Sequence, residues 1–156
     1  MSDVTTRVKA MNRAVNALVD SKVMSLTVSD IYSLLGALDL VRNLAHAASS
    51  QAGWWAKYDT PQANEFEVEV KLARLALVTS EVAEAMEGAR KGIPDPHLPH
   101  RTNEEVELAD AVIRIADYAG RYGIDLAGAI LEKLAYNMQR ADHKPEARAA
   151  DGGKKV

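Results

Sequence analysis

Residues 80–88 read Ser80-Glu81-Val82-Ala83-Glu84-Ala85-Met86-Glu87-Gly88, and residues 107–110 read Glu107-Leu108-Ala109-Asp110. Each phrase places two carboxylates three positions apart. On a helix that spacing sets both side chains on one face, with Cβ atoms about 5–6 Å apart. Two apolar rows at helical spacing run into the first phrase. One is Val68, Leu72, Leu75, Thr79, Val82 and Met86; the other is Phe66, Val70, Ala73, Leu77, Glu81, Glu84 and Gly88. A helix that is apolar on two sides is buried between neighbours, so the second row is expected to carry Glu81 and Glu84 inward. No segment of strand length alternates with period two. The fold class that follows is all-α, an antiparallel helical bundle of about five helices.

Downstream, Gly92-Ile93-Pro94-Asp95-Pro96-His97-Leu98-Pro99-His100-Arg101 rules out helix and central strand and turns the chain back. Thr102 or Asn103 is expected to cap a fourth helix, with Glu104 and Glu105 in the first turn where the helix dipole favours acids. Its row Asn103, Glu107, Asp110, Arg114, Asp117 and Arg121 alternates in charge, as a solvated ion-pair ladder does. Leu108, Val112, Ile115, Ala119 and Tyr122 read as its core face. Gly123 is a natural stop, and Asp125 is placed to cap a fifth helix reaching about Arg140. That helix carries a core stripe of Ala127, Leu131, Leu134 and Met138. Beside it, Leu126, Ile130, Lys133, Asn137, Arg140 and Lys144 begin apolar and become cationic and amide.

Upstream, Val4, Val8, Met11, Val15 and Leu18 mark a first helix over about residues 5–23. Ser29 or Asp30 is expected to cap a second, which runs to about Ala48 on Ile31, Leu34, Leu35, Leu38, Val41 and Leu44. Ser49 to Gly53 end it, and Trp54-Trp55 follow in a connector. Thr60-Pro61 opens the third helix, about residues 62–91, with a kink or boundary expected near Asn64. The divisions that result are an N-terminal helical pair (1–50), a bundle carrying the acids (51–144) and a polar, basic tail (145–156) expected to be mobile.

The chain has 156 residues, enough for one domain with a core, and 47% are hydrophobic. Net charge is -3 with both signs interspersed, which gives no basic stripe for a nucleic acid polymer. There is no cysteine, which excludes disulfides, thiolate chemistry and cysteine zinc sites, and fits a cytoplasmic setting. The N-terminal stretch lacks the long apolar core of a secretory leader. No run of about 18 apolar residues predicts a membrane span.

Helical acids are ordinarily a solvated face with i,i+4 ion pairs, and the fourth helix by itself fits that description. The third helix differs, because its acids continue an apolar row. Carboxylates turned inward need cations, donors or a metal. Hard oxygen ligands select Mg²⁺, with Mn²⁺ as the alternative, and Mg²⁺ keeps waters and binds phosphates. The row of Lys133, Asn137 and Arg140 would suit phosphate oxygens. Together these features point to a metal site for a nucleoside triphosphate.

The motifs resemble those of the MazG-like all-α nucleoside triphosphate pyrophosphatases. Ser80 to Gly88 looks like the family's first acidic helix, and Glu107-Leu108-Ala109-Asp110-Ala111-Val112-Ile113-Arg114 like its second. Lys133-x-x-x-Asn137-x-x-Arg140 followed by Gly152-Gly153-Lys154 is similar to its C-terminal lysine, asparagine and basic tail. The resemblance covers about residues 54–155; residues 1–50 carry no matching motif. It implies hydrolysis of a (deoxy)nucleoside triphosphate to monophosphate and pyrophosphate. It further implies that Glu81, Glu84, Glu107 and Asp110 hold Mg²⁺, that Glu81 and Glu84 act in catalysis, and that Lys133, Asn137, Arg140 and Lys144 contact substrate. The family forms dimers and tetramers, so a homodimer or homotetramer is implied too. The shape is similar to small phage-type members acting on dATP or dGTP. A pyrimidine enzyme of dUTPase-like or dCTPase-like preference is the alternative within the family. A non-catalytic helical interaction module, using residues 1–50 to bind a partner, is the alternative outside it.

Trp54 and Trp55 are candidates for stacking on a base, or for filling a core or interface. His97 and His100 read as surface loop histidines with a lesser claim on phosphate or metal. Arg90, Lys91 and Arg101 either attract triphosphate or solvate a helix end. Lys144, Arg148, Lys154 and Lys155 either fold over phosphates or form a basic end.

Overall fold

Capping chemistry sets most helix ends. Thr102 Oγ1 accepts from the backbone N–H of Glu105, while the Glu105 carboxylate accepts from Thr102 N–H, which closes a capping box. Asp125 accepts from Gly128 N–H at 2.9 Å. Gly92 and Gly123 adopt φ of 62° and 60°, left-handed values that stop helices without a Cβ penalty. At residues 27–30 the expectation of Ser29 or Asp30 as cap is corrected. Thr27 Oγ1 accepts from Asp30 N–H, and the Asp30 carboxylate reaches back to Thr27 N–H at 2.8 Å. Thr27 is therefore the cap, and Asp30 is the acid of the same box, its carboxyl lowered by the Thr27 hydroxyl and N–H.

The computed structural model describes residues 4–21, 25–60 and 65–140. Among these the regular elements are helices, as the all-α expectation requires. They are α1 (Val4–Asp20), α2 (Val28–Gln51), a short 3-10 turn (Ala56–Tyr58), α3 (Glu67–Lys91), α4 (Asn103–Arg121) and α5 (Leu126–Gln139). The boundary expected near Asn64 and the tail expected to be mobile lie outside the described residues. α2 continues through Ser49 and Ser50 and gives way only near Gly53, which takes φ 79°.

The chain divides into two units. One comprises the described residues up to Asp39 and from Asp125 onward; the other is Leu40–Ile124. This differs from the 1–50 and 51–144 division, because α5 packs on α1 and the second half of α2 belongs with α3 and α4. In the first unit, Ala14, Val15 and Leu18 of α1 close on Ile31 of α2 and on Leu131 and Ala135 of α5. Leu134, expected in that core, is exposed. Leu131 is among the most completely buried side chains, at 1% exposure. Leu131→Ala should therefore cost about 2–5 kcal/mol, read by chemical denaturation; a loss below about 1 kcal/mol would place the core elsewhere.

In the second unit α3 and α4 form an antiparallel hairpin. A Cβ on Gly88 would lie 2.5 Å from Asn103 Oδ1 and 2.8 Å from Glu104 N, so glycine lets the end of α3 meet the start of α4. Between them Pro94 and Thr102 form an isolated β-bridge. Asp95 is buried in this loop and accepts from the N–H groups of His97 and Leu98. Residues 40–51 of α2 lie against α4 at Gly120, where a Cβ would sit 2.5 Å from His46 Cβ.

The faces of α4 differ in part from those expected: Ala119 of the expected core row is buried and Tyr122 is half-buried, but the rest departs. Leu108, Val112 and Ile115 are exposed, whereas Asp117 is buried and Glu107, Asp110 and Arg114 are half-buried. On α3, Glu81, Ala85 and Gly88 are buried, but Phe66, Leu77 and Glu84 of the expected inward row are exposed. The inward seam is instead Arg74, Val78, Glu81, Ala85 and Gly88. Polar groups can occupy the hairpin seam because they satisfy one another there.

Candidate metal centre and adjoining cleft

Glu81 enters the α3–α4 seam at 5% exposure. Its Oε1 accepts from Nε of Arg114 on α4 at 2.5 Å, and an Nη of the same guanidinium lies 2.5 Å away as an ion pair. Glu107, one turn into α4, accepts from Asn103 Nδ2 at 2.9 Å. Glu84, one turn past Glu81, is exposed. One carboxylate oxygen from each of Glu81, Glu84 and Glu107 lies within 4.8 Å of the others. With all three carboxylates ionised, one guanidinium leaves two negative charges uncompensated in one place.

Burial first, and then the Glu81 and Glu84 carboxylates, push the Glu107 carboxyl above its ordinary value of 4.5, against the lowering effect of Asn103. A raised acid pKa in the folded state means the folded chain holds that proton more tightly than the unfolded one. The metal-free protein should thus lose stability as pH rises from about 4.5 through the raised Glu107 pKa. Thermal midpoints measured against pH should show this decline in the wild type and not in Glu107→Gln. Parallel curves for the two proteins would contradict it.

Asp110 is not drawn into the triad. It lines a cleft of about 750 Å³, walled by Val41, Leu44 and Ala48 of α2, Leu77 of α3 and Ile113 of α4. Arg74 and Arg114 line it from the two sides, and exposed Trp54 stands at it. The volume falls in the range of small-ligand sites. Trp55 does not face a ligand: at 2% exposure it fills the core, correcting its assignment as a substrate contact. The Arg74 guanidinium lies 4.2 Å from its ring centroid and donates to Trp54 O at 2.6 Å.

Beside the cleft is a network that the sequence reading missed. Asp117 accepts from Trp55 Nε1, His46 Nδ1 and Ser49 Oγ, each at 2.8 Å. Asp117 looked like a rung of a surface ladder. The signal against that was local: Ala116, Ala119 and Gly120 are small residues that let other helices close around it.

Lys133, Asn137 and Arg140 belong to the first unit. Lys133 lies over the Tyr136 ring at 4.7 Å, Asn137 is half-buried, and Arg140 follows α5. Lys144 and the basic tail lie outside the described residues. Arg90 and Lys91 bind Glu87 at 2.7 and 3.0 Å, which lowers its carboxyl to about 2. Arg101 lies 3.7 Å from Glu105, and His97 and His100 are exposed on the loop.

No helix among the described residues is long and apolar enough to cross a membrane. No family model, curated protein or solved structure matches the chain.

Proposed function

We propose that the chain is a metal-dependent pyrophosphohydrolase of MazG-like type. Its substrate is a (deoxy)nucleoside triphosphate, foremost a purine deoxynucleotide, and its products are the monophosphate and pyrophosphate. The observation that carries this reading is the convergence of Glu81, Glu84 and Glu107 oxygens within 4.8 Å. Three hard oxygen donors with uncompensated charge fit Mg²⁺ or Mn²⁺. A divalent cation bound there would neutralise charge on the phosphate oxygens.

The chain's own groups have separable roles. Arg114 orients Glu81, and Asn103 orients Glu107. Glu84 is exposed to solvent and in this reading would take the proton from an attacking water. That water adds to the α-phosphorus, the α–β P–O bond breaks, and pyrophosphate leaves with the bond electrons. The cleft beside Arg114 supports occupancy by the rest of the nucleotide, with Trp54 available to stack on a base. Asp110 serves as a cleft residue in this reading. The phosphate role expected of Lys133, Asn137, Arg140 and Lys144 rests on their row in the sequence and on the resemblance.

A second copy of the chain is part of the proposal. Val68, Leu72 and Met86 on α3 and Leu108 and Val112 on α4 are all about half exposed or more. An apolar surface of that kind marks an association site, and a homodimer or homotetramer would cover it.

Incubation with Mg²⁺ and each common ribo- and deoxyribonucleoside triphosphate, with and without chelator, tests the reading. Pyrophosphate release is expected with a purine deoxynucleotide and is lost on chelation. Preference for dUTP or dCTP would move the substrate to the pyrimidine class. No release from any nucleotide would favour a non-catalytic interaction module.

A further inference from the structure

We propose that Arg114 is a built-in counter-cation that competes with the divalent metal for Glu81, and that metal loading moves it to Asp110 in the cleft. This rests on the metal reading of the triad.

A carboxylate as buried as Glu81 needs a compensating cation. Arg114 supplies one: its Nε donates to Oε1, and an Nη of the same guanidinium sits 2.5 Å from that oxygen as an ion pair. That oxygen belongs to a carboxylate of the group that converges within 4.8 Å. A divalent cation entering there meets a positive charge already in place. The two cations repel at contact distance, and both take the same carboxylate as partner.

The guanidinium also has another position to go to. The Arg114 side chain is 40% exposed and lines the cleft, so it is not locked by packing. Asp110 lies four residues earlier on α4 and lines the same cleft. Residues four apart on a helix are neighbours, and an acid preceding a base at that spacing forms the favoured pair. Arg114 thus has one anion on the triad side and one on the cleft side. With Glu81 it neutralises the empty centre. With Asp110 it leaves Glu81 to the metal and places a cation in the cleft, where substrate phosphates would meet it. The apparent metal affinity of the wild type is lowered by the cost of breaking the first pair.

Mn²⁺ titration by calorimetry, with the full chain and no nucleotide, tests this. Arg114→Gln keeps a donor for Glu81 but removes the charge. It should bind Mn²⁺ about tenfold more tightly than wild type, within the usual range of coupling between two sites. Its metal-free thermal midpoint should fall, and Mn²⁺ should raise that midpoint more than it does in the wild type. Glu84→Ala should weaken Mn²⁺ binding, which locates the titrated ion at the triad. If Arg114→Gln does not fold without metal, Arg114→Lys carries the test. It keeps the charge but gives up the planar guanidinium contact with Glu81, and should also bind Mn²⁺ more tightly than wild type, by a smaller factor. Equal or weaker Mn²⁺ binding by the folded variant, with wild-type binding intact, overturns the competition and leaves the metal reading standing. No Mn²⁺ binding by wild type or variant overturns both.

Discussion

Glu84→Ala should lower metal-dependent turnover by about a thousandfold, equivalent to about 4 kcal/mol of transition-state stabilisation, while leaving the helical fold intact. Glu84 is exposed on α3, so truncating it opens no cavity and orphans no buried partner. Surface changes of that kind ordinarily stay within about 0.5 kcal/mol of neutral. Loss of activity with unchanged circular dichroism and thermal midpoint would therefore report on the site, its metal binding and its chemistry, and not on folding. Glu81→Ala should abolish turnover as well, but it also leaves Arg114 without its partner in the seam, so stability falls with activity. Glu84 is the cleaner probe for that reason. Turnover by Glu84→Ala above about a tenth of wild type would remove this carboxylate from the reaction.

The largest stability effect should come from Asp117→Ala. Its carboxylate accepts from Trp55, His46 and Ser49 and so ties the end of α2 and the following connector to α4. Truncation leaves those donors without their acceptor beside a fully buried indole. Breaking such a network should cost about 3–5 kcal/mol. For a chain of this size that lowers the thermal midpoint by roughly 10 °C. Asp117→Asn keeps one acceptor oxygen but turns an amide on the remaining donors, so it should lie between wild type and Asp117→Ala. A midpoint within about 2 °C of wild type for Asp117→Ala would show that the network does not hold these elements together.

Helix existence and several helix ends were legible because local rules decide them. The Thr102–Glu105 box, the Asp125 cap and the Gly123 stop need no tertiary information. Which side of α4 faces inward was not legible. Periodicity identifies a stripe but not what covers it: Leu108, Val112 and Ile115 of α4 lie outward while Ala119 of the same row is buried, and Asp117 is buried from the charged row. Local patterning is expected to mislead at sites where polar groups are held for chemistry. The same ambiguity affected α3, where Glu81 turned inward as expected while Glu84, one turn away, reached solvent. Four acids were expected to converge, and three do; Asp110 turns instead to the cleft. Of the two adjacent tryptophans, Trp55 went to the core and Trp54 to the cleft. Their order could not be read from sequence, because the choice depends on Asp117, 62 positions away, as acceptor for the indole N–H.

The central claim is that the chain cleaves a triphosphate between its α and β phosphates with a metal held by Glu81, Glu84 and Glu107. Phosphorus NMR of dATP incubated with the wild-type protein and Mg²⁺ tests it most directly. The account predicts that triphosphate signals give way to dAMP and pyrophosphate, and that chelator or Glu84→Ala stops the conversion. Unchanged dATP, if dGTP and the pyrimidine deoxynucleotides also survive, or formation of dADP with inorganic phosphate, would contradict it.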